Sequence, residues 1–227
     1  SQNRYDQMRK TIEYLNEMPL VQLMIDDIEA DDVIAYICRM PSLQEDIKII
    51  VSMDKDFYQL CDDKTMIYSP VKDEFLNKKR IIEQFDIHPN NFSLARAIDG
   101  DKSDNLEGIR GAGLKTVAKK FNFLSEEKSY TLDDLFSHCK RDDTGLKLYK
   151  NILLEKNKVE LNYKLMQLYS PHISVKSSQH IKTTIEKFKP SFNRTEVVKM
   201  MTMDGINEFN WNSLFQKFRS IVEEAKH

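Results

Sequence analysis

The apolar positions along this chain change period near its middle. In the first half they predict alternating helices and strands. Residues 5–17 read as a helix, and residues 21–25 (VQLMI) as a short apolar strand. From Val33, the residues Val33, Ile34, Tyr36, Ile37 and Met40 recur at helical spacing. Residues 47–53 (IKIIVSM) form a continuous β-branched run, the pattern of a strand buried on both faces of a parallel sheet. A short helix at 57–61 and a strand at 65–69 (TMIYS) follow. Asn77 is then placed to cap a helix, KKRIIEQF, that stops before His88-Pro89. Strand, helix, strand, helix is the α/β pattern.

Beyond Asn91 the strand signals fade and helical periods take over, in FSLARAI, LKTVAKKF, LDDLFSHCK, LKLYKNILLEKN and VELNYKLMQLY. Residues 170–193 are polar, hold Pro171 and Pro190, and read as a connection. Two helices, EVVKMMTM and WNSLFQKFRSIVEEA, close the chain. Trp211 and most aromatics of this half are expected to pack its core. The expected division is an α/β core at 1–97 and a helical domain at 98–227.

Composition changes this picture little. At 41% hydrophobic and 31% charged residues, the 227-residue chain reads as a soluble globular protein with one full core or two small ones. No apolar stretch is long enough to span a membrane, and the opening SQNRYDQMRK lacks a signal-peptide pattern. Cys38, Cys61 and Cys139 are widely spaced without a CxxC pair, which argues against structural zinc and a disulfide scaffold and fits a reducing, cytoplasmic setting.

Charge is more informative once mapped. The formal net charge is only −2, yet residues 20–63 hold eleven acids against three bases, and residues 108–120 hold four bases and no acid. A second basic stretch, 175–199, carries six bases and two acids. Solvated faces account for many such runs.

The acids gather in three clusters at element ends. Glu29, Asp31 and Asp32 stand where VQLMI gives way to a helix, with Glu29 and Asp32 on one face of a helical turn and Asp31 pointing elsewhere. Asp54 and Asp56 follow the strand IKIIVSM, and Asp101 and Asp104 follow FSLARAI. Each cluster alone has an ordinary explanation in helix capping or turn formation. Two of the three stand at the carboxyl ends of strands, where open α/β sheets bind ligands, and their joint appearance suggests one shared site. Seven converging carboxylates need cations, and an all-oxygen set selects Mg²⁺ or Mn²⁺ over zinc. Paired ions about 3.5–4 Å apart are the usual arrangement for cutting phosphodiesters. No histidine lies near these clusters in the sequence, so the side chains offer no dedicated general base.

The run GIRGAGLKTVAKKF (108–121) supplies a different signal. Gly108, Gly111 and Gly113 permit a tight turn, and a helix starting near Leu114 would turn free N–H groups toward an anion. Arg110, Lys115, Thr116, Lys119 and Lys120 surround it, while Val117, Ala118 and Phe121 provide a buried side. This is the helix-hairpin-helix pattern, which holds a phosphate backbone without reading bases.

The ordered set EADD, SMDKDFYQL and GDKSDNLEGIRGAGLKT resembles the 5′-nuclease (flap endonuclease) family from Glu29 to Phe121. The resemblance implies a parallel-sheet, PIN-like nuclease core followed by a helical DNA-binding domain with its helix-hairpin-helix at 104–121. It implies that Glu29, Asp31, Asp32, Asp54, Asp56, Asp101 and Asp104 hold two Mg²⁺ or Mn²⁺ ions and carry catalysis. Arg110, Gly111, Gly113, Lys115, Thr116, Lys119 and Lys120 would hold the duplex, with K⁺ on the hairpin backbone. The implied substrate is a DNA duplex with a 5′ flap or RNA primer, handled during replication alongside other replication proteins by a monomer with no membrane partner. Asp27 stands where the family often has glycine, and Leu106-Glu107 replaces an Ile-Pro pair. The family's first strand, with its Asp ligand, and its basic helical arch have no counterpart in these residues. The resemblance therefore also admits a fragment, a partner of a separate N-terminal piece, or a homologue that binds junctions and cuts weakly. A PIN-type RNA nuclease would share the acid site but not need the hairpin.

Overall fold

Residues 2–169 and 173–225 are described by the computed structural model. Helix α1 (Gln2–Asn16) comes first, then α2 (Ala30–Cys38), strand β1 (Lys48–Val51), a 3-10 turn (Lys55–Leu60), β2 (Thr65–Ser69) and β3 (Glu74–Leu76). Helices α3 (Lys78–Phe85) and α4 (Phe92–Asp99) lead into a two-residue-per-strand hairpin, β4 (Gly100–Asp101) and β5 (Leu106–Glu107). Then come α5 (Leu114–Lys120), α6 (Leu132–Arg141), α7 (Lys147–Leu154), α8 (Lys156–Met166), α9 (Val175–Lys187), α10 (Arg194–Met203) and α11 (Trp211–Glu224).

The chain forms two compact units, one spanning Ile28–Ile173 and the other joining residues 1–27 to 174–227. They do not follow the boundary expected at 97/98, which falls inside α4. That helix cannot be a border, because Phe92 through Ile98 are all buried, and Phe92, Leu94, Ala95, Ala97 and Ile98 pack into one core with Ile50, Ile67, Val117, Phe121 and Ile152. Asn162 of α8 donates to the Ala97 carbonyl at 3.1 Å and the Glu107 carbonyl at 2.9 Å, tying the helical half to α4 and β5.

Within this unit the sheet is mixed. β1 pairs parallel with β2, in register Ile50 to Ile67, and β2 pairs antiparallel with β3. Ile50, Ile67 and Leu76 form its buried face. The expectation that β1 is buried on both faces does not hold. Ile49 is 51% and Val51 66% exposed, on the face shared with Met66, Tyr68 and Phe75. Among the described residues no strand pairs along the other edge of β1. A β-branched run predicts a strand, but its second face is covered only if another element lies there.

Other expectations differ as well. Residues 21–25 form no strand; burial alternates along them, with Val21, Leu23 and Ile25 half-buried, but no neighbour completes a ladder. The stretch expected as a connection contains α9, whose start Ser174 caps by accepting from the Ser177 N–H. Pro171 lies outside the described residues. By contrast, β2 spans 65–69 and α3 begins after Asn77, whose side chain accepts from the Arg80 N–H at 3.0 Å, as the sequence suggests.

The other unit contains α1 and α9–α11; α10 and α11 meet at a small core of Val197, Phe215 and Phe218, joined by Met18, Phe192 and Trp211. Phe192 and Trp211 both stack on Phe215, at centroid distances of 5.8 and 6.1 Å. Lys10 and Tyr14 of α1 both bond Asp204, just past α10.

Candidate metal centre

Local turns aim the carboxylates. After β1, the Asp54 N–H donates to Ser52 Oγ at 3.1 Å, and Asp54 Oδ1 accepts from the Asp56 N–H at 2.8 Å. These nested turns project both acids from the strand's carboxyl end. Asp101 begins an equivalent turn, its Oδ1 accepting from the Ser103 N–H at 2.7 Å and from the Ser103 hydroxyl. Glu29 precedes α2 in extended conformation and makes no side-chain cap, so its carboxylate is not spent on the helix. Asp27 adopts a left-handed φ of 59°, which accounts for a glycine preference at that position.

Glu29, Asp31, Asp32, Asp56 and Asp104 line one cleft of about 220 Å³, with Lys164 of α8 on its wall. Asp54 and Asp101 line the adjoining cleft with Lys55 and Arg96. Asp56, Asp101 and Asp104 join the two. Each offers an oxygen, and these oxygens lie within 4.8 Å of one another. The structure thus brings Asp56 of the second cluster together with the third into one potential coordination set; Asp54 is not among its three acids, and the first cluster lines the cleft beside it. Asp31 does not point elsewhere: it faces the cleft.

Electrostatics support that placement. Burial, followed by the charges of Asp54, Asp56, Glu29 and Asp32, pushes the Asp31 carboxyl up to about 6. Carboxylates crowded without enough compensation are the environment a divalent cation relieves, and the donors are all oxygen, so the residues fit Mg²⁺ or Mn²⁺.

One cation is already built in. Arg96 of α4 is 5% exposed, and no reading of the sequence assigned it a role. Its Nε donates to Asp56 Oδ1 at 2.9 Å, its Nη1 to the Gly100 carbonyl at 2.9 Å, and its Nη2 to Asp101. Asp99 Oδ2 completes the ring at 3.5 Å. Burial works against the Arg96 charge, but Asp56 and Asp101 more than offset it and hold its pKa above the ordinary value. For Asp101, partial burial is overcome by bonds from Ser103 and Arg96, which keep its carboxyl below the usual range. Burial instead leaves Asp56 raised, although Arg96 pulls it back. The signal was present in RAIDGD: an arginine among apolar helix positions, with acids three and five residues on, needs a buried partner. Lys164 carries no comparable signal.

The hairpin lies between β5 and α5. Gly100 has φ +80°, and a side chain on Gly108 would collide with the Asp99 carbonyl, so both glycines are required where the chain folds back over α4. Gly111 has φ +82° in open space, and Gly113 caps α5. Val117, Ala118 and Phe121 are buried; Arg110, Lys115 and Lys119 are exposed, with Thr116 and Lys120 partly so. The α5 start is less free than expected, because the Asp99 carboxylate lies beside it, 3.9 Å from where a Cβ on Gly113 would stand.

Comparison with known proteins agrees with this geometry. The family model for the 5′-3′ exonuclease N-terminal resolvase-like domain matches residues 2–86. The 5′-3′ exonuclease of Aquifex aeolicus (strain VF5) is 31% identical over 224 residues, covering 95% of this chain and 67% of that protein. The flap endonuclease Xni of Shewanella sp. (strain MR-4) is 30% identical over 69% of this chain and 57% of its own. The chain spans between about half and two thirds of the length of such relatives. A solved structure of T5 5′-exonuclease with bound zinc ions superposes with a TM-score of 0.60 at 21% identity, over 73% of this chain and 62% of that one. The fold is accordingly a PIN-like α/β nuclease core with a helical domain. By descent and by fold, this chain belongs to the 5′-3′ exonuclease family of 5′ nucleases.

Proposed function

We propose that this chain hydrolyses phosphodiester bonds in DNA duplexes bearing a 5′ flap or an RNA primer, during replication. The observation that carries the reading is the meeting of Asp56, Asp101 and Asp104 oxygens within 4.8 Å at a cleft lined by three further acids. Two Mg²⁺ or Mn²⁺ ions bound there would polarise the scissile phosphate, activate water and stabilise the leaving oxygen. The chain's own part is positional. The Ser52–Asp54–Asp56 and Asp101–Ser103 turns fix the ligand oxygens, while Glu29, Asp31 and Asp32 extend the acidic wall. Arg110, Lys115, Lys119 and Lys120 lie beside the hairpin, where a phosphate backbone would bind irrespective of sequence. A K⁺ ion on the hairpin backbone, monomeric action and contact with other replication proteins complete the proposal.

Single-turnover cleavage of a 5′-flap duplex tests it. Cleavage should require Mg²⁺ and fall about a hundredfold or more in Asp104→Asn, with duplex affinity retained. Metal-independent cutting, or an unaffected variant, would refute it. A second reading is duplex binding with slow chemistry. Full-rate, flap-specific cutting by the chain alone would exclude that alternative.

A further inference from the structure

The least expected group at the acid site is the buried guanidinium of Arg96. Its three nitrogens are all committed, to Asp56, to Asp99 and the Gly100 carbonyl, and to Asp101. Asp56 reaches it from the turn after β1 and Asp101 from the strand after α4, so one side chain sets the separation of two acids from different elements. Arginine keeps its charge at every relevant pH, and its planar fork fixes direction as well as distance. A carboxylate set of this density would open in the absence of divalent ions unless some other cation held it. Arg96 is also within reach of Asp99, whose carboxylate lies 3.9 Å from where a Cβ on Gly113, just before α5, would stand. The same guanidinium therefore links the metal-facing acids to the hairpin.

We propose that Arg96 is a positioning residue that acts as a resident counter-cation: it prearranges Asp56 and Asp101 for an incoming divalent ion and, through its own charge, weakens that ion's hold. The inference rests on the metal-site reading above. A fixed positive charge touching two ligand carboxylates repels a doubly charged ion at a few ångströms, an effect large enough in a part-buried site to change affinity tenfold or more. A purely structural arginine would have the opposite signature, since its removal would loosen the ligands and weaken the ion.

The test is Mn²⁺ titration calorimetry on the 227-residue chain, with melting in EDTA alongside, for the parent, Arg96→Gln and Arg96→Lys. Arg96→Gln should melt lower in EDTA yet bind Mn²⁺ at least tenfold more tightly. Arg96→Lys, which keeps the charge but loses the fork, should melt lower while its Mn²⁺ affinity stays within threefold of the parent. Unchanged or weakened Mn²⁺ binding in Arg96→Gln overturns the inference, as does a lysine variant that gains affinity like the glutamine one. Should Arg96→Gln fail to fold, the lysine variant decides: lower melting with near-parent affinity supports the inference, and parallel loss of both overturns it. A parent chain that binds no Mn²⁺ removes the metal site itself and this inference with it. A binding parent without the predicted gain overturns this inference alone.

Discussion

Replacing Asp31 with asparagine should stabilise the metal-free protein. Asp31 sits half-buried in the cleft, where burial and four neighbouring acids raise its pKa from 3.8 to about 6. A shift of about two units corresponds to roughly 3 kcal/mol at ~1.36 kcal/mol per unit. Much of the group still meets solvent, which screens the interaction, so about 1 kcal/mol is the realistic figure. Because the folded-state pKa is raised, the folded protein binds the proton more tightly than the unfolded chain. The penalty is therefore fully present above about pH 6 and fades as pH falls toward 3.8. In EDTA near neutral pH, Asp31→Asn should melt about 2–4 °C above the parent, with the advantage largely gone near the acid end of that window. With Mg²⁺ the order should reverse, because the parent gains more from the ion than the variant does. Thermal melts of both proteins in EDTA and in Mg²⁺ measure all three. A variant no more stable than the parent near neutral pH, or one whose advantage does not change with pH, would refute the crowding of charge at this cleft.

Three further outcomes follow from the same geometry. Lys115→Ala and Lys119→Ala should each weaken duplex binding and lower the salt slope by about one, measured by fluorescence anisotropy across salt concentrations. Asp54→Asn should leave metal-free duplex binding intact or tighten it by about twofold, since it removes an exposed negative charge beside the DNA path; weaker binding in the same assay would contradict this. Gly108→Ala should destabilise by about 2–3 kcal/mol or more in urea unfolding, because its methyl group would collide with the Asp99 and Ile98 carbonyls.

Local chemistry made part of this fold legible. The Asn77 cap and the strand at 65–69 are short-range patterns, and each appears where its residues imply. What the sequence hid depends on partners distant along the chain. Residues 21–25 have the burial rhythm of a strand but lack a hydrogen-bonding neighbour, and that neighbour is not written into their own composition. β1 is apolar on both sides, yet only Ile50 faces the core. Polar α9 buries only Ile181 among its residues, so it gave little apolar signal, although the Ser174 cap was there to be read. At the site, the helical reading of EADD placed Asp31 away from Glu29 and Asp32. The structure turns it into the cleft because Glu29 lies outside the helix, in extended conformation, and not within a helical turn.

Arg96 and Asp99 show why the acidic and basic stretches belong together. A net charge of −2 conceals an acidic segment at 20–63 and a basic one at 108–120, and both fall largely in the unit Ile28–Ile173. Alone, the acids would repel the phosphates they are built to cut, and the hairpin lysines would draw in DNA with no chemistry attached. Asp99 resolves part of this conflict by lying near both sides: its carboxylate is 3.9 Å from where a Cβ on Gly113, the residue before α5, would stand, and 3.5 Å from Arg96, which in turn holds Asp56 and Asp101. On the proposed function, affinity belongs mainly to Arg110, Lys115 and Lys119 and chemistry to the acids, with the buried helix α4 standing between the two.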